Sequence, residues 1–322
     1  MNMPNFRFNL FRRPIFSVLL ALSLGFALAL GLFALPNQAN SAQSGIVVMA
    51  AGDIACAPGS KYFNNGKGKD GNCQMQATAA LIDKVKPQVV LALGDNQYEK
   101  GELENFQKSY DPTWGKFKKI TKPVPGNHEY ASGNANGYYD YFGALAGERN
   151  KGYYSFNLGD WHLIALNSEC KNVGGCGTGS PQEQWLKADL KANKKACTLA
   201  FWHRPRFSSG LHGNNKEFEV FWADLYAARA DLVLSGHDHT YERFAPQGLT
   251  ENLDTQRGIR QFVAGAGGKN LYPFKTVRPN SEVRSDDTYG VLKLTLKPKS
   301  YDWEYLAIPG VNFTDKGSAN CY

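Results

Sequence analysis

At 322 residues the chain is long enough for one large domain or two ordinary ones, with a sizeable buried core. Hydrophobic residues at 43% and charged residues at 20% exclude wholesale disorder. Of the formal charge of +7, three come from Arg7, Arg12 and Arg13 in the first 41 residues, where no acid stands. The remaining mild excess has no long basic run with interleaved aromatics, which argues against a nucleic-acid partner and leaves room for small anionic substrates.

The N-terminus has the pattern of an export leader. Arg7, Arg12 and Arg13 form a positive start, Pro14 to Leu35 runs without a charge, and Ala39-Asn40-Ser41 or Asn40-Ser41-Ala42 offers a small-residue cleavage site. Residues 1–42 are expected to be a signal peptide. The alternative is an uncleaved anchor, since the apolar run approaches the ~20 residues that span a bilayer. Either way the remainder is expected outside the cytoplasm, secreted or periplasmic, and membrane-bound only if the leader stays.

Cysteine usage agrees with that compartment. Cys56, Cys73, Cys170, Cys176, Cys197 and Cys321 all follow the leader, and their number is even. Cys170 with Cys176 could close a Gly-Gly turn, Cys56 with Cys73 a glycine- and lysine-rich loop, and Cys197 with Cys321 the tail. Six cysteines allow fifteen pairings, so connectivity stays open. No pair has the C-x-x-C spacing of a zinc knuckle.

After the leader, strand-like and helix-like segments alternate. Ile46–Ala51 and Gln88–Leu93 are apolar runs ending at Gly-Asp, and Gln74–Lys86 between them has helical spacing with Met75, Leu81, Ile82 and Val85 on one face. Tyr153–Leu158 and His162–Asn167 form a hairpin around Gly159-Asp160. Pro181–Lys194 is a helix, Thr198–Trp202 a buried strand, Glu217–Arg229 a helix and Leu232–Ser235 a strand. Arg260–Ala264, Tyr289–Leu296 and Tyr301–Leu306 are late strands. With helices early and hairpins late, residues 45–322 are expected to form one domain, a pair of sheets flanked by helices.

Five short motifs fall at five strand ends: Gly52-Asp53, Gly94-Asp95-Asn96-Gln97-Tyr98, Gly126-Asn127-His128-Glu129, Trp202-His203 and Gly236-His237-Asp238-His239. Pro123 and Pro125 interrupt the strand before Gly126. Each motif alone has an ordinary reading as a turn, a cap or a satisfied histidine. Together they line buried strands with carboxylates, imidazoles, a carboxamide and a phenol, groups that are costly there unless one metal cluster satisfies them all.

This ordered set resembles the calcineurin-like metallophosphoesterases. The tyrosine three residues after the second aspartate, together with Gly236-His-Asp-His-Thr-Tyr-Glu-Arg243, is similar to the purple acid phosphatases among them. Many of the wider group carry Asp-x-His in the first motif, whereas Asp53-Ile54-Ala55 has no histidine. Ala55 and Tyr98 are thus a consistent pair. The resemblance implies a four-layer αββα sandwich with two metals at its rim. Asp53, Tyr98 and His239 would hold the first metal, Asn127, His203 and His237 the second, and Asp95 would bridge them.

A phenolate suits Fe(III), whose charge suppresses the high phenol pKa. Imidazole and carboxamide suit Fe(II), Zn(II) or Mn(II). The implied activity is hydrolysis of phosphate monoesters by a metal-bound hydroxide, with a small phosphorylated compound as substrate. A phosphodiesterase or nucleotidase on the same metals, and a non-enzymatic exported binding module, are the alternatives. His128 and His212 are the candidates for binding phosphate or protonating the leaving group. His162, inside the hairpin, is given no role. Gly265-Ala-Gly-Gly268 lacks the spacing of a phosphate loop and is expected to be a turn. Tyr138-Tyr139-Asp140-Tyr141-Phe142 could line a substrate entrance.

Overall fold

The computed structural model describes residues 45–322; the expected leader lies outside them. In chain order, β1 (Ile46–Ala51), β2 (Val89–Leu93) and β3 (Thr121–Val124) open a first sheet. A second sheet follows, made of β4 (Tyr154–Leu158), β5 (Trp161–Ala165), β6 (Cys197–Phe201), β7 (Leu232–Ser235), β8 (Tyr241–Phe244), β9 (Arg260–Ala264) and β10 (Ser281–Ser285). The chain then returns to the first sheet as β11 (Gly290–Lys297), β12 (Ser300–Ala307) and β13 (Lys316–Asn320). The sheet orders are β13-β12-β11-β1-β2-β3 and β10-β8-β9-β7-β6-β5-β4. β1, β2 and β3 run parallel, as do β5, β6, β7 and β9, so their carboxyl ends collect along one rim.

Three apolar clusters make four layers. Leu91, Leu163, Leu199, Leu232, Phe262 and Leu294 pack between the sheets. Met75, Ala79 and Ile82 of helix Met75–Val85 cover the outer face of the first sheet with Phe106, Tyr110 and Trp114. Helices Pro181–Ala192 and Glu219–Ala227 cover the second through Leu186, Phe221, Trp222 and Leu225. The architecture is therefore the αββα sandwich. Helix Pro181–Ala192 starts where Ser180 Oγ accepts from Glu183 N at 3.3 Å, with Pro181 at the first helical position.

Several expectations change in detail. On helix Met75–Val85 the fully buried face is Met75, Thr78, Ala79 and Ile82, with Leu81 and Val85 only half-buried. Pro123 is compatible with β3 because β3 is an edge strand, where a missing N–H breaks no ladder on its free side. The aromatic run does not line an entrance: Tyr138, Tyr139, Tyr141 and Phe142 lie on helix Asn136–Phe142 with their rings buried in the outer core. β10 and β13, with sequences SEVRS and KGSAN, carry too few apolar residues to announce themselves as strands. The disulfides are Cys56–Cys73, Cys170–Cys176 and Cys197–Cys321.

Candidate metal centre

The five motifs meet at the shared rim. Asp53 follows β1, Asp95 follows β2, Asn127 opens the short helix after β3, His203 follows β6, and His237 follows β7. The chain has to leave each strand abruptly to aim these side chains back across the strand ends. Asp53, Asp95 and His237 accordingly hold left-handed backbone, with φ of 60°, 46° and 70°. Gly126 allows a close approach, since a Cβ there would stand 2.2 Å from Asp95 Oδ1.

Two donor sets result. Tyr98 Oη lies 2.9 Å from Asp53 Oδ1, 2.9 Å from His239 Nε2 and 3.1 Å from Asp95 Oδ2, and His239 Nε2 lies 3.2 Å from Asp53 Oδ1. On the other side, His203 Nε2 lies 3.2 Å each from Asp95 Oδ2, Asn127 Oδ1 and His237 Nδ1. Asp95 Oδ2 belongs to both sets. Two ligands about 2.1 Å from one ion and at right angles stand about 3 Å apart, so these contacts have the length expected between neighbouring ligands of one ion, and Asp95, His203 and His237 offer donor atoms all within 4.8 Å of one another.

The ring orientations fit as well. His239 Nδ1 donates to Asn270 O at 2.7 Å and His203 Nδ1 to Leu93 O at 2.9 Å, which directs each Nε2 into the centre. Tyr98, with a single proton, faces three acceptors, and a cation resolves that surplus.

Burial and charge act strongly here. Burial, then Asp53 and Asp95, push the Tyr98 phenol well above its usual value. Burial opposes protonation of His203, but Asp95 outweighs it and raises the imidazole to about 10. Burial likewise opposes the charge on Asp95, yet His203 and His128 hold its carboxyl far below the usual range. The protons that tie these groups together are the ones a metal would replace. Burial, followed by His203 and Arg204, lowers the His237 imidazole well below its usual value. Burial and Asp95 push Glu129 up to about 8. Its carboxyl accepts from Gln97 N at 3.1 Å and Gly126 N at 2.7 Å, bracing the loop under Asn127.

His128 and His212 stand at the margins. His128 N donates to Asp95 Oδ1 at 2.8 Å, its Nδ1 donates to Glu99 O at 2.6 Å, and its Nε2 is 3.8 Å from Asp95 Oδ2. His212, with 41% of its side chain exposed, stacks on His237 at 4.0 Å between ring centroids and donates from Nδ1 to Asp238 Oδ1 at 2.8 Å.

Other groups come into play only in three dimensions. Arg204 donates from Nη1 to His237 Nε2 at 3.0 Å while its Nε donates to Glu169 at 2.8 Å. Tyr272 stacks on His239 at 4.0 Å. The Gly265–Gly268 turn packs under Asp53, with Gly267 N donating to Gly52 O and Lys269 N to Asp53 O, both at 3.0 Å. Arg204 and Asp238 adjoin motif histidines in the chain, a signal that could have drawn attention to both. His162 bonds Asp189 and Asn157 within the second sheet and its outer helix.

A family model for calcineurin-like phosphoesterases matches residues 46–241, more than half of the chain and all of the residues above except Tyr272 and the Gly265–Asn270 segment. The chain belongs to the calcineurin-like phosphoesterase family. Within that family its likeness is to the purple acid phosphatases. A probable purple acid phosphatase of Arabidopsis thaliana is 30% identical over 195 residues, covering 48% of this chain and 45% of that protein. The human acid phosphatase type 7 is 29% identical over 248 residues, covering 64% and 54%. Among solved structures, a purple acid phosphatase from yellow lupin seeds shares the fold with a TM-score of 0.67 at 20% identity, over 86% of this chain and 54% of that one. Across the first five curated relatives the matched region takes up between 34% and 57% of their length.

Proposed function

We propose that this calcineurin-like phosphoesterase is an exported phosphatase that hydrolyses phosphate monoesters at a binuclear metal centre. The observation that carries the proposal is the pair of donor sets joined through Asp95 Oδ2. Asp53, Tyr98 and His239 would hold the first ion, Asn127, His203 and His237 the second, with Asp95 common to both. The anionic phenolate and carboxylates favour Fe(III) at the first position; the neutral imidazoles and carboxamide favour Fe(II), Zn(II) or Mn(II) at the second. When bound, such a pair supplies positive charge to the phosphoryl oxygens and a nucleophile from water near neutral pH. Three disulfides and the leader pattern support an oxidising, extracytoplasmic location.

The chain's own residues supply orientation and proton handling. Asp238 holds His212 by Nδ1, which leaves Nε2 for the substrate, to donate to a phosphoryl oxygen or protonate the departing alkoxide. His128, held by Glu99 O, presents Nε2 from the opposite margin. Arg204, braced by Glu169, adds positive charge on the His237 side.

Metal analysis, an absorption spectrum and side-by-side assays on a monoester and a diester test the proposal. Expected are two metals per chain, a visible band lost in Tyr98→Phe, and faster turnover of the monoester. A colourless wild type holding zinc at both positions would refute iron at Tyr98. Preferential cleavage of the diester would replace the monoesterase assignment, and a metal-free, inactive protein would remove the enzymatic one.

A further inference from the structure

The loop from Arg206 to Asn215 carries His212 at its far end and is closed at its base, where Asn215 N donates to Arg206 O at 3.0 Å. Behind that base lies a polar cleft of about 530 Å³ lined by Arg206, Asn214, Lys216, Glu219, Glu251 and Arg278, with Thr250. The charges in it are unevenly satisfied. Arg278 and Glu251 engage one another in two contacts of 3.1 Å each. Arg206 is different: it is only 5% exposed, yet its guanidinium donates no hydrogen bond among the described residues, and its buried Nε has no partner. Its carboxylate neighbour within ion-pair reach is Glu219, at 3.9 Å, whose own side chain is 55% exposed, and Glu251 of the same cleft acts on it from farther off. One face of the guanidinium rests on the Phe207 ring at 4.4 Å. Burial lowers the pKa of Arg206 from its ordinary value.

A guanidinium whose Nε is buried without an acceptor and whose nearest carboxylate stands beyond hydrogen-bond reach is costly, and a planar or tetrahedral oxyanion that meets its fork would satisfy it. Lys216, exposed at the cleft mouth and in no ion pair among the described residues, adds a second uncommitted cation. Asn214 spends its Oδ1 on Ser208 N at 3.0 Å, so its amide N–H₂ remains to donate.

We propose that Arg206, Lys216 and Asn214 form a second anion site, separate from the metal donors, that takes a phosphate-class oxyanion. The choice of phosphate rests on the phosphatase reading, whose reaction releases it; the anion site itself does not. Because Arg206 and Asn214 belong to the loop that carries His212 and Lys216 opens the helical turn that follows it, an anion bound there would tie the two ends of that loop together.

Calorimetric titration with inorganic phosphate tests the site in the full chain carrying Asp95→Asn, treated with chelator so that no residual ion at the metal centre binds the phosphate. One binding site is expected to remain. Adding Arg206→Gln is expected to weaken it at least tenfold, and adding Lys216→Gln several-fold; the second position is exposed and keeps the test decisive should the first variant fail to fold. No phosphate binding in the Asp95→Asn protein, or affinity unchanged by these additions, overturns the proposal. Failure of the metal reading shows separately, as unaltered metal content in Asp95→Asn. Phenylphosphonate distinguishes the sources: tighter binding than phosphate marks an esterified phosphoryl group as the occupant, weaker binding marks free phosphate.

Discussion

Asp95 carries more of the centre than any other side chain, because one of its oxygens faces Tyr98 at 3.1 Å and His203 at 3.2 Å while the other accepts from His128 N at 2.8 Å. Asp95→Asn keeps the size and removes the charge that would hold two cations together. Metal content should fall from two to one or fewer, and turnover by more than the ~10–100-fold typical of losing an outer hydrogen-bond partner; elemental analysis with a nitrophenyl phosphate assay reads both, and near-normal occupancy would mean that Asp95 is not shared. His212 offers the contrasting case. It touches the centre through ring stacking on His237, and among the described residues its side chain bonds only to Asp238. His212→Ala should therefore leave metal content unchanged and cost about 10²–10⁴-fold in rate on alkyl phosphates, whose alkoxides need a proton. The loss should shrink on nitrophenyl phosphate. An equal loss on both classes would indicate phosphate binding instead of proton transfer, and His128→Ala run in parallel shows which histidine has that task.

At the scale of elements, the strand-end glycines determine how close the two halves of the centre come. Gly126 has φ of −113°, open to any residue, yet a Cβ there would stand 2.2 Å from Asp95 Oδ1 and 2.5 Å from Asp95 N. Gly133 is the converse, with φ of +97° and nothing within 4 Å of its Cβ position. Gly126→Ala should displace Asp95, reduce metal content and destabilise by about 1–3 kcal/mol; Gly133→Ala should cost about 1 kcal/mol for backbone conformation alone and leave metal content intact. Thermal melts and metal analysis of the pair separate approach from conformation, and equal metal content in both variants would contradict this account. These glycines also explain what was legible in the sequence. Each motif is local, with the turn residue and the polar side chain adjacent in the chain, so Gly-Asp or Gly-His-Asp-His is visible without a fold. The contacts that orient them are not local: Asn270 holds His239, Glu169 braces Arg204, and Gly267 packs against Gly52. The buried strands β1, β2, β6 and β7 were readable from apolar runs, whereas polar β10 and β13 owe their pairing to the neighbouring strands.

With its ions bound, the described part of the chain would be fastened at two opposite ends. Each proposed ion draws ligands from both sheets: Asp53, Tyr98 and Asn127 follow strands of the first, His203, His237 and His239 strands of the second. At the other end Cys197, the first residue of β6, is bonded to Cys321 just beyond β13 of the first sheet, across a sequence separation of 124. By chain entropy that bond should stabilise by about 4–5 kcal/mol, against about 2–3 kcal/mol for the short Cys170–Cys176 loop. Cys197→Ser with Cys321→Ser should therefore lower the melting temperature more than Cys170→Ser with Cys176→Ser, and a reversed order would show that the long bond is not what keeps the sheets together. A further consequence concerns metal affinity. The carboxylate half and the imidazole half of the centre ride on different sheets, so the bond at the far end, added to the apolar core between the sheets, should help hold one half against the other. Oxidation of two thiols on the opposite side of the protein would then help determine how tightly the proposed centre holds its ions: chelators should strip the reduced protein faster than the oxidised one.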